Sequence, residues 1–302
     1  MHTSSNIKGI FFAALGFSFF AYGDVIFKYL GAYYSVFTTT AFSSLFASLA
    51  LLAAAQMTGG VRRAFKTNKL KLHLLRGVII TGQLLLAIYA ITHLSLAKTY
   101  ALVFIAPFIA TMLSIPMLKE SVSPQHWIAI ALGFIGILIV LRPGMIPIET
   151  AALAALGSAV FFALSNILVR MIGTTGETKL SFPLYTEVVL IPVTFTLALI
   201  WDTTWPSLPH IALLALNGTL GACGMYFIAR GFSTAAAAIV APFHYIQMLW
   251  AILFGYIIFN DKPDIWIGLG ATIIIASGVW LIRHEHSRDY LPPQTSPVHK
   301  ED

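Results

Sequence analysis

The sequence predicts an all-α polytopic membrane protein whose ten transmembrane helices form two inverted repeats of five helices. Three observations carry this prediction. The 302 residues are 58% hydrophobic and only 10% charged, with a mean hydropathy of +0.84, whereas soluble domains carry about 25% charged residues. Ten apolar segments are close to the length of about 20 residues that a bilayer-crossing helix needs. Finally, a stretch of thirteen residues in the first half returns in the second half.

The apolar segments divide evenly between the two halves. The predicted first repeat, residues 1–144, contains spans at 7–30, 34–56, 74–95, 98–117 and 126–141. The predicted second repeat, residues 145–283, contains spans at 150–171, 182–201, 209–229, 234–259 and 265–283. The short fifth span follows Pro124, and proline suits the first turn of a helix. Residues 284–302 are polar and proline-bearing, so we expect a disordered cytoplasmic tail.

The repeated stretch reads FFAYGDVIFKYLG at residues 19–31 and FFALSNILVRMIG at residues 161–173. A second repeated motif, Ala-Pro-Phe, occurs in the same order near the end of each half. Because both repeated motifs occur in the same order in each half, they indicate that the chain arose by duplication. Because each repeat has an odd number of helices, the second repeat must cross the membrane in the opposite direction. Many secondary transporters have this inverted architecture, although a duplication can also build an inert scaffold.

The positive charges predict the orientation of the chain. With the N-terminus inside, the outer side holds only Lys28, Lys98, Arg142 and Lys262 of the 18 Lys and Arg residues. We therefore expect both termini on the cytoplasmic side of the cell inner membrane. The basic loop at residues 62–71 suits contact with anionic lipid headgroups, so lipid is an expected partner and nucleic acid is not.

Charged and amide side chains inside the spans are candidate coupling or gating residues. Asp24 and Lys28 lie four residues apart on one helical face and can pair. Such a pair either fixes helix packing or forms a coupling or substrate site, because ionised groups within a span are costly. Lys28 can alternatively extend to the outer interface. Asn166 and Arg170 repeat the spacing without the acid.

Glu187 in the seventh span either faces a water-filled cavity, which we favour, or lies near the headgroups. His93 and His244 are either hydrogen-bonded packing residues or proton carriers. Organic solutes bind in apolar pockets with a few polar groups. The predicted substrate-binding residues are Asp24, Tyr89, Tyr185, Glu187, His244, Tyr245 and Trp250.

Pro107 and Pro242 of the two Ala-Pro-Phe motifs each remove a backbone hydrogen bond near the middle of a predicted span. They are either packing kinks or paired hinges, and their symmetric recurrence favours gating hinges. Small residues at 235–238 would allow the ninth helix to approach a neighbour closely.

The sequence predicts no cofactor, no metal site and no catalytic residue, since it contains no HExxH, CxxC or glycine-rich phosphate loop. Cys223 is the single cysteine, which excludes an intrachain disulfide. An intramembrane enzyme using His93, His244, Asp24 or Glu187 as acid or base is the competing class. A receptor or scaffold is a third class, and the oligomeric state, monomer or homodimer, is left open.

The segment PFIATMLSIPMLKESVSPQHW and the following GFIGILIVLRPG resemble EamA-type members of the drug/metabolite transporter superfamily. DVIFKYLG, LHLLRG, APFHY and IIFNDKPD resemble the branch that contains bacterial S-adenosylmethionine uptake carriers. The resemblance implies a secondary carrier of small organic metabolites. Two arginines of that branch are replaced here, one by Ser43 and one by His244 in Pro242-Phe243-His244-Tyr245.

Without those arginines, the predicted lining is acidic and aromatic. Anionic solutes usually need a fixed arginine, whereas aromatic rings favour flat or cationic ones. We therefore expect a heteroaromatic or cationic metabolite, such as a nucleoside-like or vitamin-like solute. The alternative is an exporter of amino acids or carboxylates with the same fold.

Overall fold

The protein is helical throughout the part of the chain that the computed structural model describes, residues 2–119, 124–142, 148–173, 178, 180–202, 204–234, 241–262 and 264–289. Its first six helices are α1 His2–Leu30, α2 Val36–Met57, α3 Val61–Ala64, α4 Leu70–His93, α5 Leu96–Val103 and α6 Ala106–Leu118. The next six are α7 Pro124–Leu141, α8 Thr150–Ile172, α9 Ser181–Trp201, α10 Leu208–Thr234, α11 Ile246–Phe259 and α12 Ile265–Asp289. A short 3-10 helix, Ala241–Tyr245, precedes α11.

Seven of the predicted spans correspond to helices long and apolar enough to cross a membrane. Shorter apolar helices, Trp127–Leu141, Phe243–Phe259 and Ile265–Trp280, lie at the predicted fifth, ninth and tenth spans. The prediction of a multi-pass all-α membrane protein is therefore confirmed, while the count of ten spans stays a prediction. The fifth-span helix begins at Pro124, as its proline indicated.

The fourth span, for which the sequence predicted a kink or hinge at Pro107 near mid-helix, consists of two helices. α5 ends at Val103 and α6 begins at Ala106, so the backbone breaks at Phe104 and Ile105. Pro107 consequently lies in the first turn of α6, where its missing N–H costs no helical hydrogen bond, and not at mid-helix. Pro242 likewise lies in the 3-10 helix before α11, so both proline motifs mark breaks between helical segments.

Two further details depart from the predicted boundaries. α3 is a one-turn helix inside the basic loop, which hydropathy alone did not indicate. α12 continues to Asp289, six residues beyond the predicted end of the tenth span. Residues 235–238, the small-residue segment, and residues 290–302 of the predicted tail lie outside the described residues.

The helices pack in matching pairs from the two halves. α1 packs along α10, and α8 packs along α4; α2 contacts α10, and α9 contacts α4. Two further pairs, α2 with α9 and α7 with α12, each join the corresponding spans of the two halves. This arrangement is what a twofold relation between the halves would produce.

Glycines allow two of these pairs to approach closely. A β-carbon at Gly16 of α1 would lie 2.8 Å from the backbone oxygen of Gly224 in α10. A β-carbon at Gly136 of α7 would lie 2.9 Å from the backbone oxygen of Gly270 in α12. Small residues at helix contacts are the usual means of packing within a bilayer, where lipid is as apolar as a leucine side chain.

Three ion pairs lie at one end of the helix bundle. They join Lys28 Nζ to Asp261 Oδ2 at 3.2 Å, Lys98 Nζ to Glu149 Oε1 at 3.1 Å, and Arg142 Nη2 to Asp264 Oδ2 at 2.7 Å. Their basic members are three of the four that the charge distribution placed on the outer side. We therefore refer to this end as the Lys28 end.

Candidate functional site

Asp24 lies on α1, six residues before the helix ends, and its carboxylate accepts a hydrogen bond from the Tyr100 hydroxyl of α5. The Tyr100 oxygen in turn accepts a hydrogen bond of 3.1 Å from Gln247 Nε2 of α11. Tyr100 is 7% exposed and Gln247 is 5% exposed. These three residues, the Asp24 cluster, join α1 and α5 of the first half to α11 of the second half.

Aromatic side chains pack between α1 and α11 about one helical turn after Gln247. Trp250 donates from Nε1 to Ser18 Oγ of α1 at 2.8 Å and stacks on Phe254 with ring centroids 5.2 Å apart. Tyr22 of α1 packs at an angle against Trp250, at 5.7 Å between centroids. The predicted residue Trp250 is thus held against the face of α1 that carries Ser18 and Tyr22, whereas Asp24, two residues after Tyr22, projects from a different side of that helix.

The 3-10 helix contributes two more of the predicted residues. The His244 ring stacks on Phe17 of α1, at 4.7 Å between centroids and an interplanar angle of 24°. Phe104, at the break between α5 and α6, meets His244 and Tyr245 edge-on, at 5.3 and 5.1 Å. The break between α5 and α6 therefore contacts the 3-10 helix beside the Asp24 cluster. This region brings together the predicted residues Asp24, His244 and Tyr245.

Asp24 and Lys28 do not pair in the structure; of the two alternatives left open by the sequence, Lys28 extends away from Asp24 towards the end of the bundle. Lys28 Nζ forms its ion pair with Asp261, donates to the backbone oxygen of Leu94 at 2.6 Å, and lies 5.1 Å from the Phe259 ring centroid. No cationic side chain of the described residues lies within the 4.0 Å ion-pair distance of Asp24. The lysine side chain is long enough to reach the α11–α12 connection. The Asp24 carboxylate is instead hydrogen-bonded by the Tyr100 hydroxyl.

Glu187 lies at a second polar contact, away from the Asp24 cluster. Its carboxylate accepts a hydrogen bond from Ser44 of α2. Two residues earlier on α9, Tyr185 donates to the backbone oxygen of Phe65 at 2.7 Å and is buried beneath α3. Arg76 Nη1 of α4 donates to Phe182 O and Thr186 Oγ1, both at 3.1 Å.

The remaining predicted residues are not brought to the Asp24 cluster. Tyr89 of α4 stacks at an angle on His93 at 4.2 Å, and its hydroxyl lies 3.4 Å from Thr150 Oγ1. Asn166 and Arg170, the counterparts of Asp24 and Lys28, are exposed on α8. The two copies of the repeated stretch therefore place their corresponding residues in different surroundings.

Sequence reasoning missed Tyr100, Gln247 and Asp261. Gln247 carried a usable signal, since an amide inside the apolar run of α11 requires a partner. Tyr100 carried none, because tyrosines in apolar segments usually serve packing. Asp261 follows the end of α11, where a carboxylate is unremarkable without knowledge of the facing helix.

Two other features of the described residues bear on the chemistry. A cavity of about 300 Å³ lies between α5, α11 and α12, and its lining, which includes Ala97, Met248 and Asp264, is largely apolar and excludes the Asp24 cluster. No group of three or more His, Cys, Asp or Glu residues among the residues described could hold a metal ion.

These helices and intramembrane polar contacts define a multi-pass membrane protein. Residues 7–142 and 149–283 match the EamA-like transporter family, so the chain belongs to that family, within the drug/metabolite transporter superfamily, and the resemblance drawn from its motifs is confirmed. Membership makes the protein a transporter of small metabolites, which agrees with the prediction that it is not an enzyme.

Several proteins of known name or structure are similar to the chain. An S-adenosylmethionine uptake transporter of Rickettsia prowazekii (strain Madrid E) is 28% identical over 279 residues, covering 92% of this chain and 94% of that protein. A riboflavin transporter of Rhizobium johnstonii is 31% identical over 195 residues, 65% of this chain and 64% of that protein. A protein of solved crystal structure is 16% identical, with a TM-score of 0.63 over 93% of this chain and 99% of that one, and supports the fold alone.

Proposed function

We propose that the protein is a secondary-active or facilitative carrier of a heteroaromatic or cationic metabolite, which it moves by alternating access. The observation that carries this proposal is the Asp24 cluster, in which one carboxylate sits where α1 and α5 meet α11. Alternating access requires a solute site between elements that move relative to each other, and the junction of two repeats is such a place.

The charge around Asp24 favours a cationic group on the solute. Lys28 is engaged by Asp261, so Asp24 is not neutralised by a neighbouring lysine. The rings of Trp250 and Tyr22 pack against each other on a neighbouring side of α1. A cation held between a carboxylate and such rings gains about 0.5–2 kcal/mol from each cation–π contact. A solute of net negative charge, such as citrate, would instead be repelled by Asp24.

The substrates named for two similar transporters belong to this class of solute. S-adenosylmethionine combines an adenine ring with a sulfonium cation, and riboflavin is a flat heteroaromatic molecule. The aromatic rings of His244, Tyr245 and Trp250 suit stacking on either. Because Ser43 and His244 replace two arginines of the S-adenosylmethionine branch, we do not assign that compound as the physiological solute.

We further propose ten spans in two inverted repeats, residues 1–144 and 145–283, with both termini cytoplasmic in the cell inner membrane. The matched pairing of helices between the halves supports the repeat. The family match at residues 7–142 and 149–283 has the same division. The excess of Lys and Arg on one side supports the orientation, with lipid as a surrounding partner. Asn166, Arg170, Pro107 and Pro242 stay proposed gating residues.

The test is uptake by proteoliposomes that contain the purified protein. Riboflavin, S-adenosylmethionine, choline and citrate are compared as competitors and, where labelled, as direct solutes. Asp24→Asn keeps an oxygen that can accept from Tyr100 but removes the charge. We expect it to lower uptake of the cationic probes by about ten- to a hundredfold, since hydrogen bonds to charged groups are worth about 1.5–3 kcal/mol.

Glu149→Gln is the matched control, because Glu149 is a half-exposed acid of an ion pair outside the cluster. It should leave the order of competitors unchanged. Inhibition by citrate alone would contradict the charge argument and favour the carboxylate alternative. Binding without flux would favour a receptor over a carrier.

A further inference from the structure

The contact between Glu187 and Ser44 has no assigned role once the solute is placed at the Asp24 cluster. Glu187 lies on α9, six residues from its start, which is about 9 Å along the helix axis. Both α9 and α2 are among the helices long and apolar enough to span the membrane. A carboxylate at this position is expensive to keep, and such residues commonly mark ion or proton pathways.

Among the described residues, no cationic side chain lies within ion-pair distance of the Glu187 carboxylate. α2, which packs on α9, contains no titratable side chain in Val36–Met57. α4 presents Arg76 and His73 to α9, while α9 itself carries Tyr185. Arg76 Nη1 donates hydrogen bonds to Phe182 O and Thr186 Oγ1, and the Arg76 guanidinium lies 5.5 Å from the Phe182 ring centroid. The His73 ring packs 4.8 Å from the Tyr185 ring.

Ser44 can serve both protonation states of this carboxyl group. When Glu187 is ionised, the serine hydroxyl donates to its oxygen; when Glu187 carries a proton, the carboxylic O–H donates to the serine oxygen. One contact therefore satisfies the group with and without a proton. Hard metal cations are bound by a larger set of oxygen ligands than the three that these two side chains offer, so the arrangement suits a proton.

Two buried polar groups lie between this contact and the Asp24 cluster. Ser43 Oγ, in a residue 5% exposed, and Asn217 Nδ2, in a residue 4% exposed, make no hydrogen bond to the described residues. Buried polar atoms are normally satisfied, so two unpartnered ones need an explanation.

Close packing connects these groups in a row from α1 to α9. A β-carbon at Gly23, the neighbour of Asp24, would lie 2.7 Å from Asn217 Oδ1. A β-carbon at Gly218, the neighbour of Asn217, would lie 2.1 Å from the Ser43 backbone oxygen. Ser43 precedes Ser44, which contacts Glu187. The order along this row is thus α1, α10, α2 and α9.

We propose that Glu187 and Ser44 form a proton-binding site separate from the Asp24 cluster, and that Asn217 and Ser43 link the two. The proton comes from the aqueous phase, forms an O–H bond on a Glu187 carboxyl oxygen and leaves to water on the other side. Proton binding and solute movement are coupled in this proposal, which rests on the proposed carrier function and deepens it.

The first test observes the proton itself and needs no solute. Infrared difference spectra of the purified protein in lipid, recorded across a pH titration, report the carbonyl stretch of protonated carboxyl groups. We expect Glu187→Gln to remove one band and Ser44→Ala to shift it, because the hydrogen bond is lost. Glu149→Gln should leave the band unchanged. A band that survives Glu187→Gln, or that disappears only in Asp24→Asn, overturns the proposal.

The second test measures coupling in proteoliposomes with S-adenosylmethionine and riboflavin as probes. If one proton moves with each solute, a gradient of one pH unit gives about a tenfold difference in accumulation. The measured quantity is the ratio of gradient-driven uptake to uptake without a gradient. We expect Glu187→Gln to reduce this ratio to about one, whereas Asp24→Asn should lower both uptakes together.

Asn217→Ala should lower the same ratio while the infrared band persists, and Thr219→Ala, an exposed position on the same helix, is its control. A ratio that stays at the wild-type value in Glu187→Gln, or a sodium gradient that replaces the pH gradient, overturns the proposal. If the wild-type protein takes up neither probe, the carrier assignment for these probes fails, and the infrared band still decides whether Glu187 is a proton site.

Discussion

The ion pair between Lys28 and Asp261 allows a quantitative test of how the two halves are held together at the Lys28 end. Lys28 lies one turn after Asp24 on α1, and Asp261 follows the end of α11. The side chains are 12% and 31% exposed, so this pair lies between a buried and a surface ion pair. The perturbation is Lys28→Met, Asp261→Asn and the double variant.

The expected magnitude follows from distance and burial. At 3.2 Å and an effective dielectric constant of about 20, the gross attraction is about 5 kcal/mol, before the cost of desolvation is subtracted. Exposed pairs are worth about 0.2–1 kcal/mol, and removing one member of a buried pair costs about 3–5 kcal/mol. We therefore expect a coupling energy of about 1–2 kcal/mol. Lys28→Met should be the more damaging single change, because it also removes the donor to Leu94 O.

The assay is a double-mutant cycle on the free energy of unfolding in detergent. The pair between Lys98 and Glu149 is the control: its distance is 3.1 Å, but Glu149 is 51% exposed. Its coupling should be weaker, about 0.2–1 kcal/mol, and should fall further with added salt. A coupling energy below about 0.5 kcal/mol for Lys28 with Asp261 would refute the reasoning, because independent sites give values of that size.

Three further predictions concern other parts of the fold. Tyr100→Phe removes the hydroxyl between Asp24 and its amide partner, and should lower the midpoint of thermal unfolding through a loss of about 1–3 kcal/mol. Gly218→Ala should destabilise the packing of α2 on α10 by about 1–3 kcal/mol in the same assay, whereas Gly221→Ala, which meets nothing within 4 Å, should be neutral or stabilising. In a cysteine-free background, a cysteine at Lys262 should react with an impermeant thiol reagent on intact cells and one at Thr67 should not; the reverse pattern would invert the proposed topology.

Hydropathy was sufficient to predict the helices, because a segment that crosses a bilayer must satisfy its backbone internally and present apolar side chains to lipid. The same reasoning failed inside the fourth span. The break at Phe104 and Ile105 lies in an uninterrupted apolar run, and only Pro107 signalled it. A proline marks the first turn of a new helix as readily as a kink, so the sequence left its exact role open.

The partner of an intramembrane charge was the hardest feature to predict. Spacing of four residues made Lys28 the natural partner of Asp24. The actual partners, Tyr100 and Asp261, come from α5 and from the α11–α12 connection, and only the packing of helices identifies them. For the same reason the sequence repeat misled: Asn166 occupies the equivalent position in α8 but is exposed.

The two ends of the bundle are held together by different interactions, and this difference bears on how the Asp24 cluster could open. At the Lys28 end, the three ion pairs Lys28–Asp261, Lys98–Glu149 and Arg142–Asp264 join neighbouring helices. At the other end, Lys69 Nζ donates to the backbone oxygens of Met171 and Ile172, which terminate α8. A lysine at a helix C-terminus also interacts favourably with the helix dipole, typically by about 0.3–1 kcal/mol.

Separating α1 from α11 at the Lys28 end would expose Asp24 after one helical turn, and it would break the Lys28 pair first. The opposite end is tied by cation-to-carbonyl contacts whose acceptors, the α8 carbonyls, are also available to water. Opening at the Lys28 end therefore costs at least the coupling energy of that pair, about 1–2 kcal/mol by the estimate above. An intact Lys28–Asp261 pair would therefore favour the conformation in which the Lys28 end is shut. Neutralising Lys28 or Asp261 would then shift the population by about five- to thirtyfold towards opening there, even where the solute site itself is untouched.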